Sequence, residues 1–179
     1  MVEVVEAYRD FVPPCNAQAA VEELLRSVPE KYLGGLWRIV LTNGAALTGK
    51  RRRSWSWSRG RKARHAEVRG LYHQEWHGAP AWIELFVDKI VEGPPDWALR
   101  LPLVRSVLFG AVVYHELGHH IHALQRPEHR EREDVADDWQ IRLGRGHIRR
   151  RHPIARVGLW PFIRVARLLM GRRGRSPSR

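Results

Sequence analysis

Cysteine is nearly missing from this chain: Cys15 is the only one in 179 residues. A lone thiol excludes an intramolecular disulfide and any cysteine-based metal site, and Cys15 reads as a small apolar residue near a turn. Apolar runs long enough to span a bilayer are missing too. The longest candidate, residues 101–113, is interrupted by Arg105 and reads as a buried helix. The N-terminal stretch Met1-Val2-Glu3-Val4-Val5-Glu6 is acidic, without the basic start of a secretory signal, so a cytoplasmic location is expected. No internal repeat is visible. Acidic side chains vanish after Asp138: from Trp139 onward there are twelve Arg and no Asp or Glu. Those twelve equal the whole formal charge of +12, so the first 138 residues balance to zero.

What is present is a folding composition with one chemically pointed segment. A chain of this length, 44% hydrophobic and with eight Trp, can bury a sizeable core as one domain, expected over residues 1–170. Inside an apolar run stands Val113-Tyr114-His115-Glu116-Leu117-Gly118-His119, which contains the spacing H-E-x-x-H. With ten His and thirteen Glu, random order produces that string about once in twenty-five shuffles, so its context has to decide. Pro102 suits a first helical position and Arg126-Pro127 a stop. Between them Val104, Val107, Leu108, Ala111 and Val112 follow helical spacing, and His115 and His119 extend the same stripe. Four residues apart, both imidazoles can reach one metal ion. Glu116 lies on the flank of that face, where it can take a proton from an activated water without occupying a coordination position. His120 and His122 read as helix-surface residues.

A site of this type needs a third protein ligand. The segment after Pro127, Glu128-His129-Arg130-Glu131-Arg132-Glu133-Asp134-Val135-Ala136-Asp137-Asp138-Trp139, reads as a second helix ending at Gly144. Val135, Ala136, Trp139 and Leu143 form its inner stripe, with Glu133 and Asp137 one turn apart beside it. Glu133 is the favoured ligand, and Asp137 can accept the other ring N–H of a ligand histidine. Most other carboxylates of the run read as a solvated face paired with Arg130 and Arg132.

The pair His115-Glu116-x-x-His119 with Glu133-x-x-x-Asp137 resembles the gluzincin branch of the zincin metallopeptidases. The string Glu133-Asp134-Val135-Ala136-Asp137-Asp138-Trp139 is similar, more narrowly, to the small bacterial ImmA/IrrE group. The resemblance covers roughly residues 100 to 143. A metzincin would require His where Gln125 stands and Gly in place of His122. The SprT type uses a third histidine downstream, for which His129 is the only near candidate. The resemblance implies an α+β, minimal zincin-like fold, with a small mixed or antiparallel sheet packed on the H-E-x-x-H helix. It implies a cytoplasmic hydrolase, a zinc metalloendopeptidase acting on protein or peptide. Zinc would be held by His115, His119 and Glu133 at roughly 2.0 to 2.2 Å. Glu116 would be the general base, passing the proton on to the leaving amine. A further donor to the oxyanion is expected, with Tyr72, Tyr114, His147 and His152 as candidates.

The upstream half supplies the expected helix-and-sheet region, residues 1–100. Residues 17–28 carry Val21, Leu24, Leu25 and Val28 at helical spacing, with Asn16 as N-cap and Pro29 as stop. Residues 36–41 and 81–88 read as strands, and 68–72 as a weaker one. In zincins an edge strand beside the active-site helix pairs with extended substrate, a role open to residues 82–87 or 68–73. Gly93-Pro94-Pro95 marks the turn into the metal-binding helices, residues 101–144.

Two basic segments point to a second class of partner. Residues 50–62, with Lys50, Arg51, Arg52 and Arg53 before Trp55 and Trp57, suit either nucleic acid or a solvated hairpin. A nucleic-acid-associated protein, with the metal site structural or silent, or a zincin acting on DNA-bound regulators, is the alternative to a simple peptidase. Residues 145–170 are expected to form a basic C-terminal helix, which closes over the domain or lies on an anionic membrane surface. Residues 171–179 are expected to be disordered.

Overall fold

The computed structural model describes residues 2–58, 61–126 and 132–153. The expectations for residues 154–170 and 171–179 lie outside the described residues.

The chain opens with a short strand, β1 (Glu3–Glu6), and then a helix, α1 (Ala17–Arg26). Asn16 caps α1 by accepting the Ala19 N–H at 2.8 Å, satisfying one of the orphan donors of a helix start. Val21, Leu24 and Leu25 are its buried stripe. The second strand, β2 (Leu36–Thr42), follows, and then one helical turn, α2 (Gly49–Arg53). An antiparallel hairpin comes next, made of β3 (Trp55–Ser58) and β4 (Arg61–Arg64). After it come β5 (Gly70–His73) and β6 (Ala81–Phe86), then two short turns of helix, α3 (Val87–Ile90) and α4 (Asp96–Leu99). Two long helices close the described chain, α5 (Pro102–Gln125) and α6 (Glu133–Arg151).

The fold is α+β with a four-stranded mixed sheet in the order β1-β2-β6-β5. β1 and β2 are parallel, as are β2 and β6, while β5 runs antiparallel to β6. The central strands carry Ile39, Leu41, Ile83 and Leu85, all fully buried, against Val21 and Leu24 of α1 and Phe109, Val113, Leu117 and Ile121 of α5. A smaller cluster of Leu47, Val68 and Phe86 forms separately. α6 packs along α5, the most extensive contact between any two elements.

Several expectations are corrected. β1 was not anticipated: four residues, half of them exposed, carry no periodic signal and are held by pairing with β2. The strand expected over 81–88 ends at Phe86, where the backbone turns into α3. Residues 82–87 cannot supply a sheet edge, because β6 lies between β2 and β5; the terminal strands are β1 and β5, and β5 is the one beside β6. The helix expected to stop at Gly144 runs on through Gly146 to Arg151, because Leu143 and His147 are both buried and tie its second half to the core. Among the described residues, no helix is long and apolar enough to cross a membrane.

Candidate metal centre

α5 begins with proline at the first helical position, where the missing N–H costs nothing. Phe109, Val113 and Leu117 are fully buried on the face toward the sheet, while His115 and His119, 4% and 6% exposed, lie on the opposite side with the half-buried Val104, Leu108 and Ala111, so the stripe they extend faces α6 instead of the sheet. The rings of His115 and His119 stand nearly perpendicular, 88° apart, with centroids 4.9 Å from each other. Glu133 opens α6, at a helix N-terminus where the backbone dipole favours a carboxylate. Its two oxygens reach the two rings, Oε2 lying 3.5 Å from His115 Nε2 and Oε1 lying 3.9 Å from His119 Nε2. One ligand atom from each of His115, His119 and Glu133 falls within 4.8 Å of the others.

This donor set fits a divalent cation. Bonds of about 2.0 to 2.2 Å in tetrahedral geometry place ligand atoms about 3.3 to 3.6 Å apart, so the cluster needs only a small contraction. Two imidazoles and one carboxylate form a recognised zinc set that leaves a fourth position for water. One turn along α6, Asp137 Oδ1 lies 3.2 Å from His115 Nδ1, on the side of the ring away from Glu133. At that separation the contact meets no hydrogen-bond geometry in this structure, and a small rotation of either group would let the carboxylate accept the Nδ1 proton and leave the lone pair on Nε2. His119 Nδ1 is buried and has no hydrogen-bond partner among the described residues.

Electrostatics favour the ligating form. Burial, reinforced by the neighbouring His115 ring, pulls His119 down to about 4, against the opposing pull of Glu133 and Asp137. A neutral imidazole at neutral pH is the form that binds metal.

Two glycines determine how close the elements come. A β-carbon on Gly118 would lie 2.7 Å from both the Cα and the carbonyl oxygen of Ala136, so α5 and α6 touch backbone to backbone there. A β-carbon on Gly70 would lie 2.7 Å from Glu116 Oε1 and from Val112 Cγ1. The Glu116 carboxylate is therefore seated against the backbone of edge strand β5, while His115 and His119 turn toward α6. Sequence reasoning missed both glycines. The one available signal was Gly118 itself, since glycine inside a helix is costly unless packing requires it.

His120 and His122 are not surface residues: they are 1% and 5% exposed. His120 Nε2 lies 3.0 Å from the Gly34 carbonyl oxygen and Nδ1 lies 3.2 Å from the Tyr72 hydroxyl. A carbonyl only accepts, so Nε2 carries the proton and donates. Burial holds this ring's pKa below the usual histidine value, so in its neutral form Nδ1 accepts from the Tyr72 O–H. His120 thus links α5 both to edge strand β5 and to the turn before β2.

Of the four expected oxyanion donors, three are not brought to this cluster. Tyr114 is buried with its hydroxyl 2.8 Å from Ser27 Oγ and donating to Leu24 O at 3.3 Å, and burial pushes it up to about 12. It packs α5 on α1. His147 and His152 flank Ser106, their Nε2 atoms 3.3 and 3.2 Å from its Oγ. Ser106 precedes His115 by nine residues, about 13 Å along the helix, so this trio belongs to the other end of the α5–α6 pair. Tyr72, on β5 two residues from Gly70, shares the strand face that meets α5. No family model, curated protein or solved structure matches this chain, so the reading of the site rests on its own residues.

Proposed function

We propose that the chain is a zinc-dependent metallopeptidase of minimal gluzincin-like type, hydrolysing peptide bonds with Glu116 as general base. The observation that carries this reading is the convergence of His115, His119 and Glu133 from two helices, with Asp137 behind His115. Such an arrangement has no need of the H-E-x-x-H glutamate for coordination, which leaves Glu116 for proton transfer. Zinc, when bound, supplies Lewis-acid polarisation of the scissile carbonyl and lowers the pKa of a water. His115 and His119 hold their ε-nitrogens toward Glu133, and the Asp137 carboxylate lies within reach of His115 Nδ1 on the other side of the ring. Glu116 accepts the proton of the attacking water and delivers it to the leaving amine. Its place against Gly70 puts it beside β5, a terminal strand of the four-stranded sheet and the strand this reading assigns to an extended peptide. No oxyanion donor is assigned among the four expected, because the Tyr72 O–H is given to His120 Nδ1.

The test is metal analysis of the purified protein beside His115→Ala, Glu116→Gln and Glu133→Ala, with cleavage of a generic peptide followed on the same samples. Wild type should hold one zinc and cleave. Glu116→Gln should hold zinc and lose cleavage, and the two ligand variants should lose metal. Unchanged cleavage by Glu116→Gln would remove the mechanism, and unchanged affinity in Glu133→Ala would mean another third ligand.

A further inference from the structure

Helix α6 changes character along its length. Its first turns carry Glu133 and Asp137 toward the histidines, while its second half carries five arginines, Arg142, Arg145, Arg149, Arg150 and Arg151. Two of the five are engaged inside the fold. Arg150 Nη2 donates to the Ser27 carbonyl oxygen at 2.7 Å, and Arg151 pairs with Glu23. The other three face outward and are exposed. At about 100° per residue, Arg142, Arg145 and Arg149 fall within roughly 60° of one another, opposite the buried Ala136, Leu143 and His147. Among the described residues, Arg145 and Arg149 have no hydrogen-bond or ion-pair partner. Arg142 has no acidic partner among the described residues and lies over the Trp139 ring, 4.9 Å from its centroid.

We propose that this outer face of α6 binds the phosphate backbone of nucleic acid. The row spans about 10 Å, comparable with about four successive phosphates at an axial rise of ~3.4 Å per strand. Arginine forks match phosphate oxygens in pairs. Helix stabilisation alone does not account for the row, because cations complement the helix dipole only in the last turn, which takes in Arg149 but not Arg142 or Arg145. Partner chemistry follows from what the face lacks. An interfacial membrane helix needs a broad apolar face beside its cations, and a protein interface needs an apolar centre. Every exposed side chain of α6 is charged: the arginines of the second half, and Asp134 and Asp138 in the turns before Arg142, which leave the C-terminal half as the cationic part of the face. This surface stands independently of the metal reading, since it uses no ligand residue.

The experiment is a fluorescence-anisotropy titration of a short mixed-sequence DNA duplex with the whole chain, over a series of KCl concentrations. Three proteins are compared: wild type, Arg142→Gln/Arg145→Gln/Arg149→Gln, and a control that removes the same charge elsewhere, Arg9→Gln/Lys31→Gln/Arg100→Gln. The α6 variant should bind at least about tenfold more weakly at low salt and lower the log–log salt slope by about two to three. The control should stay close to wild type, and circular dichroism should be the same for all three. The proposal is overturned if the α6 variant keeps the wild-type slope or if the control loses as much. It is equally overturned if phosphatidylserine vesicles bind more tightly than the duplex with the same dependence on the three arginines.

Discussion

Gly118 and Ala136 meet backbone to backbone, closely enough that a β-carbon on Gly118 would sit 2.7 Å from the Ala136 Cα. Gly118 lies between His115 and His119 and Ala136 between Glu133 and Asp137, so this crossing sets the distance from the histidines to both carboxylates. Gly118→Ala should force the helices apart, costing about 1 to 3 kcal/mol of stability as overpacking does. Zinc affinity should fall along with stability, measured by chelator competition and denaturant unfolding on the same protein. Full retention of zinc affinity would mean that Glu133 is not held by this crossing.

Gly70→Ala isolates the other close approach. Its β-carbon would collide with Glu116 Oε1 and Val112 Cγ1 and leaves His115, His119 and Glu133 untouched. Cleavage should drop by tenfold or more, on the order of 1.4 kcal/mol of transition-state stabilisation, while zinc affinity changes little. A parallel loss of both would show that β5 supports the metal ligands as well.

Asp137 acts through His115, to which its carboxylate lies 3.2 Å away at Nδ1. Asp137→Ala should weaken zinc binding by roughly 10- to 100-fold, the usual cost of losing the partner of a ligand histidine. Asp137→Asn should lose less, because its amide oxygen still accepts the ring N–H. Equal losses in the two variants would point to charge instead of orientation.

Acid stability should depend on Glu84, which is 3% exposed in β6. Its Oε2 lies 2.6 Å from Arg51 Nη2 and 3.4 Å from His73 Nε2. Burial alone would raise this carboxyl, but His73 and Arg51 outweigh burial and hold it below its ordinary value of 4.5. A carboxyl depressed in the folded state contributes stability that is fully present above the unfolded value and is lost as pH falls through the folded one. Glu84→Gln should therefore lower the urea midpoint at pH 7, and the gap from wild type should shrink as pH falls below the ordinary value of 4.5. A gap that persists unchanged in acid would show that the charge of Glu84 contributes nothing.

Much of the fold was legible because its signals are local. The Asn16 cap and the Val21, Leu24 and Leu25 stripe mark α1, Pro102 marks the start of α5, and the alternation around Ile83 and Leu85 marks β6. Spacing alone also paired His115 with His119 and Glu133 with Asp137, because residues four apart share a helix face whatever surrounds them. β1 was not legible, since its pairing with β2 is a long-range fact. The stop at Gly144 failed for a similar reason: burial of Leu143 and His147 outweighs two helix-weakening glycines.

The amino-acid sequence by itself determined which residue types stand on one helix face, and with them the candidate chemistry and the separation of basic from neutral chain. Tertiary structure decided what those faces meet. It set the sheet and the turn at Gly34 against His120, placed Tyr114 on α1, and put His147 and His152 at the far end of α5. It also used the absence of two β-carbons, at Gly70 and Gly118, to bring Glu116 against β5 and Glu133 between the histidines. Periodicity is a property of the backbone and can be read along the chain; contact distances depend on atoms far apart in sequence that exclude one another only after folding.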